Sequence, residues 1–140
     1  MARWYDNTKG QARLALEHAA MRKFHPQFEL RQRRNGMLYF LGKLQTSISG
    51  TIYTIEVNFG DKHPDTPPVV RLTHPTLSEG HVPHRYGDGR LCLYKPSDGP
   101  GSGYAASATT AATLVGWAAA WLHAYEIWQH TKEWPGPEGD

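Results

Sequence analysis

Cysteine is almost absent from this chain: Cys92 is the only one among 140 residues. A single thiol makes no intramolecular disulfide, and without histidines it makes no four-ligand zinc site. An excess of one charge is also lacking. Lys and Arg number 15 against 13 Asp and Glu, leaving a formal charge of +2. That is too small to argue for a nucleic-acid partner, and the 8 histidines make it pH-dependent without defining a patch. No run approaches the roughly 18 apolar residues of a membrane span, and Met1-Ala2-Arg3-Trp4-Tyr5-Asp6 has no apolar core of the signal-peptide kind. A soluble cytoplasmic protein is expected, with neither nucleic acid nor membrane as partner. There is no internal repeat, no interdomain linker and no glycine-rich phosphate loop. The length suits one domain over residues 1–140, with 137–140 a loose tail.

What is present is a hydrophobic pattern that changes period twice. Leu14, Leu16, Ala19, Ala20, Met21 and Phe24 fall at helical spacing within 11–24, leaving Arg13, Glu17 and Arg22 to face water, and Pro26 ends the helix. From Phe28 to Asn35 the residues alternate as in a strand, and Asn35-Gly36 is a tight-turn signal. Strands are also predicted over 37–45 and 51–59, with Ser49-Gly50 turning between them. Tyr53, Ile55, Val57 and Phe59 share one face of the second. Pro64-Asp65-Thr66-Pro67-Pro68 forms a rigid extended bend, because each proline removes a donor and restrains its predecessor. Val69-Val70-Arg71-Leu72 reads as a last strand.

Residues 74–104 show no sustained period and are rich in Gly, Pro, Ser and Asp, an irregular stretch far longer than ordinary connections. Cys92 lies inside it, in Gly87-Asp88-Gly89-Arg90-Leu91-Cys92-Leu93-Tyr94. By residue type alone Cys92 is either a small apolar filler or a reactive thiol. A helix then follows, capped by Ser107 or Thr109. Leu114, Trp117, Trp121, Tyr125 and Trp128 recur at spacings of three or four, as in a core-facing stripe, and Trp134-Pro135-Gly136 stops the fold.

The order is α/β of the α+β kind: helix, about four antiparallel strands, a proline bend, a cysteine loop and a second helix. It resembles the ubiquitin-conjugating enzyme family. His63-Pro64-Asp65-Thr66-Pro67-Pro68-Val69-Val70-Arg71-Leu72 is similar to that family's Tyr-Pro-x-x-Pro-Pro-x-Val-x-Phe stretch, and Gly89-Arg90-Leu91-Cys92-Leu93 to its Gly-x-Ile-Cys-Leu motif. Where the family has His-Pro-Asn, with asparagine eight residues before the cysteine, this chain has Val82-Pro83-His84. That departure, with Trp121-Leu122-x-x-Tyr125-Glu126-x-Trp128 and Trp134-Pro135-Gly136, resembles the divergent prokaryotic branch. Members of that branch occur in cyclic-oligonucleotide antiphage defence (CBASS) operons.

The resemblance implies that Cys92 carries an acyl group as a thioester and hands it to an amine. It implies a protein passenger, either the defence nucleotidyltransferase (CD-NTase) or a ubiquitin-like protein, joined to a lysine. With no glycine-rich phosphate loop, ATP activation is expected from another protein or by another route, and no cofactor or metal is expected. His84 is the candidate donor to the developing oxyanion, or else an organiser of the loop. Asp88 is a candidate base for the incoming lysine, though Asp-Gly is also a common turn pair. His81 is a candidate cation beside the thiol, as is Arg85, and Tyr86 and Tyr94 are candidate walls against water. Three competing readings are a cysteine hydrolase with His84 as base, a metal site from His74, His81, His84 and Cys92, and a noncatalytic binding module on the same fold.

Overall fold

The computed structural model describes residues 2–77, 82–85, 89–93 and 103–135. Its first helix, α1, runs Thr8–Phe24. Asn7 starts it by accepting the Gly10 N–H at 2.7 Å, a standard N-cap bond. Gly10 itself is demanded by crowding, since a Cβ there would lie 1.8 Å from the Trp4 carbonyl oxygen. The helix ends at Phe24, with His25 as its C-cap and Pro26 next.

Four strands follow, β1 (Glu29–Gln32), β2 (Leu38–Gln45), β3 (Ile52–Asn58) and β4 (Val69–His74), antiparallel in the order β1-β2-β3-β4. The first turn closes through Arg33 N–H to Met37 C=O at 2.8 Å, with Gly36 at φ 94°. That positive φ is why Asn-Gly occupies the turn. In the register Phe40↔Val57↔Val70, all three side chains point to one face. Tyr53, Ile55, Val57 and Phe59 lie there and are buried, as the alternation predicts.

The second helix, α2, runs Ala111–Thr131 and covers this face, burying Leu114, Val115, Ala118, Trp121, Leu122 and Tyr125. Its cap is Thr110, one residue past the expected Thr109. Thr110 and Thr113 exchange side-chain and main-chain bonds in a capping box. Thr109 is instead buried, its hydroxyl taking the Ala105 N–H at 2.9 Å. Trp121 and Tyr125 of the aromatic stripe are core, while Trp117 and Trp128 are partly exposed. No helix among the described residues is long and apolar enough to cross a membrane.

One expectation fails outright. Glu17 and Arg13 do not face water: Glu17 is 0% exposed, whereas Leu16 and Phe24, expected inside, are 49% and 61% exposed. The reason is a buried ionic cluster. Glu17 Oε2 takes Arg13 Nη2 at 2.9 Å and His63 Nε2 at 2.8 Å, and Glu17 Oε1 takes the Ala111 N–H of α2's first turn at 2.8 Å. Arg13 spans onward to the Ala106 and Thr109 carbonyls, each at 2.7 Å. Burial pushes the Glu17 carboxyl up. The His63 and Ala111 bonds and the neighbouring positive charges outweigh it, so the group stays ionised below the ordinary carboxylate range. The cluster ties α1, the proline bend and the start of α2 together.

Nearer the other end of α2, buried Glu126 does the same for the β2–β3 turn. Its Oε2 accepts from Thr46 Oγ1 at 2.9 Å, Ser49 Oγ at 2.7 Å and Tyr53 OH at 2.7 Å. Burial again raises its pKa, and these hydroxyls again bring it below the ordinary value.

Candidate active site

β4 is an edge strand, and its outer edge is where the cysteine segment attaches. Leu91 N–H donates to Val70 C=O at 2.9 Å, with Arg71 and Arg90 opposite each other in an antiparallel bridge. A second bridge joins Arg85 to Leu91. The apolar anchors are Val82 and Leu91, 2% and 6% exposed. Pairing of this kind satisfies edge groups that would otherwise offer a template to another chain. It also leaves Cys92 directly after a residue fixed to the sheet.

Cys92 is in no disulfide and is partly exposed. It is not sealed in the core, as an apolar filler would be, and not fully open on the surface. Its N–H donates to the His84 carbonyl at 2.9 Å. The same carbonyl accepts Trp121 Nε1–H from α2 at 2.8 Å. One main-chain oxygen therefore joins the cysteine to the helix beneath it. Both lone pairs of that oxygen are used, which is the full capacity of a carbonyl acceptor.

His84 reaches this position in the left-handed region, at φ 58°. Outside glycine that region is uncommon, and asparagine, aspartate and histidine are several-fold enriched in it. The departure from Asn to His at this register thus keeps a residue type that tolerates the backbone the segment needs. The His84 ring lies against Trp134, with centroids 4.7 Å apart. Gly89, at φ 91°, gives the segment its other left-handed residue among those described.

Of the residues singled out from sequence, Cys92 and His84 are brought together, through main chain. Arg85 is partly buried and bridged to Leu91. His81, Tyr86, Asp88 and Tyr94 lie outside the described residues. Among the described residues no group of three or more His, Cys, Asp or Glu is placed to hold a metal ion. Sequence reasoning missed Trp121 as a donor to the cysteine segment. The available signal was that a buried indole N–H needs an acceptor. It also missed the contact of Trp134 with His84, having read Trp134 as a stop and as part of the ending that carries the resemblance. A cavity of about 520 Å³ is lined by the α1 start, the proline bend and Ala106-Ser107, and by none of the described cysteine-segment residues.

The arrangement can do one thing chemically: hold a partly exposed cysteine beside a sheet edge, with its main chain tied to the strand and the helix. That is what a covalent acyl carrier requires. A protein-family profile described as Type II CBASS E2 protein matches residues 17–140. A search of curated proteins finds no match.

Proposed function

The chain belongs to the Type II CBASS E2 family, and from that premise we propose that Cys92 carries the C-terminal carboxyl of a partner protein as a thioester and passes it to a lysine amine. Membership gives a ubiquitin-conjugating-like role in CBASS defence and a protein partner within that system. The passenger proposed is the CD-NTase of the same system, with a ubiquitin-like protein as the second candidate.

The observation that carries this reading is the placement of Cys92: partly exposed, directly after the edge-bound Leu91, its N–H held by His84. In the loading step the Cys92 thiolate attacks the partner's activated carboxyl carbon, and the activating group departs with the electron pair of the broken bond. In the transfer step a lysine nitrogen attacks the thioester carbonyl. The C–N bond forms, the C–S bond breaks, the thiolate leaves and the amine's surplus proton goes to a base. The sequence has no phosphate loop, so ATP is spent by a separate protein. His84 is a positioning residue in this scheme, through its carbonyl.

The test is coexpression with the operon neighbours and electrophoresis without reductant. The native chain gives a reductant-sensitive adduct, Cys92→Ala gives none, and Cys92→Ser gives one that resists reductant. An adduct and phage protection that both survive in Cys92→Ala would favour the binding-module reading.

A further inference from the structure

The segment after α2 returns to the cysteine. Lys132 takes a left-handed φ of 62° and its N–H donates to Trp128 C=O at 2.7 Å, which reverses the chain at the helix end. Thr131 Oγ1 fixes the reversal, donating to the Ile127 carbonyl at 3.0 Å and accepting the Glu133 N–H at 3.1 Å. Two residues past Lys132, the Trp134 ring sits on the His84 ring at 4.7 Å and on the Trp121 ring at 5.4 Å. Trp121 stacks in turn on Tyr125 of the core at 5.5 Å.

His84 is therefore held from two sides. Trp121 binds its carbonyl from the helix, and Trp134 covers its ring from the returning segment. A non-glycine residue at positive φ persists only where its surroundings over-determine it, and this one carries the bond that orients Cys92. We propose that Trp134 is a positioning residue, acting through His84 to keep the Cys92 backbone in the geometry that acyl transfer needs. The proposal rests on Cys92 being the acyl carrier.

The experiment uses the full chain with Trp134→Ala and Trp134→Phe. It reads hydrogen exchange at the Cys92 amide and the Trp121 indole N–H, and release of the loaded acyl group to free lysine. Trp134→Ala is expected to speed exchange at those two N–H groups about tenfold or more, leaving the Ile55 and Val57 amides of β3 unchanged. It slows discharge by roughly ten- to a hundredfold, the scale of an ångström-sized misplacement. Trp134→Phe keeps an aromatic cover and restores most of both. Unchanged exchange at the two N–H groups overturns the proposal. So does a uniform loss of protection across β3, or a phenylalanine variant as impaired as the alanine one. If the native chain carries no adduct, the acyl-carrier reading fails, while the exchange measurement still judges the clasp on its own.

Discussion

The frame around α2 and the segment around Cys92 are held by opposite means. In the frame, two buried carboxylates are held mostly by other side chains: Glu17 by Arg13 and His63 with one bond from the Ala111 N–H, and Glu126 through its Oε2 by three hydroxyls. In the cysteine segment, main-chain groups do most of the holding: Leu91 to Val70, Cys92 to His84, and one indole to the same His84 carbonyl. Side-chain clamps are unforgiving, because removing one partner strands the other without water. Main-chain tethers tolerate exchange of the side chain wherever the new residue accepts the backbone angles. A reactive thiol gains from the second arrangement, since its main chain is fixed without a clamp on its side chain.

The comparison breaks hardest at Glu17. Glu17→Ala leaves Arg13 and His63 buried without their anion, and the loss expected on breaking such a pair is about 3–5 kcal/mol. Urea unfolding should record it as a lower midpoint. The thiol reactivity of those molecules that remain folded should be unchanged, because the Cys92 and His84 main-chain bonds do not run through the cluster.

Acid gives a graded version of the same test. Glu17 and Glu126 both titrate below their unfolded-state value, about 4.3 for glutamate. The unfolded chain therefore binds protons first as pH falls. The stability these carboxylates contribute is complete above that value and is lost as pH drops through their lower folded values. His25, held below the ordinary imidazole value by burial, adds a loss of the same sign that starts nearer neutrality. Thermal melts should show the steepest decline below about pH 4.3. Glu17→Gln should flatten it.

The smallest effect sharpens the other half of the comparison. His84→Val places a β-branched residue at φ 58°, where left-handed backbone costs L-residues about 1–2 kcal/mol. His84→Asn keeps the tolerated backbone and loses only the ring contact to Trp134. Adduct formation should fall in the valine variant and persist in the asparagine variant, whose discharge to lysine should slow as in Trp134→Ala. Equal loss in both would mean that the imidazole itself is required.

The fold was largely legible because its signals are local. Alternation through Tyr53, Ile55, Val57 and Phe59 marks a one-sided strand, Asn35-Gly36 marks its kind of turn, and Pro64, Pro67 and Pro68 exclude helix and central strand. The shift from Thr109 to Thr110 as cap is a boundary error, with two neighbouring threonines offering the same hydroxyl. Glu17 was misread for a different reason. A charged residue on a helix faces water unless distant partners are waiting, and His63 lies 46 residues away. That Cys92 sits on an irregular segment after the last strand was legible from the composition and motif around it. The φ of His84 and the use of its carbonyl were not, because neither leaves a trace in the identity of the residue. Trp134 read as an end signal since Trp-Pro-Gly breaks a helix, and only the reversed chain shows where its ring goes.

The most direct measurement is the intact mass of the complex trapped by Cys92→Ser, followed by peptide mapping of the linkage. The account predicts a mass equal to the two chains less one water, with the partner's terminal carboxyl joined to residue 92. A linkage at any other residue, or a partner attached through a side chain, would contradict it.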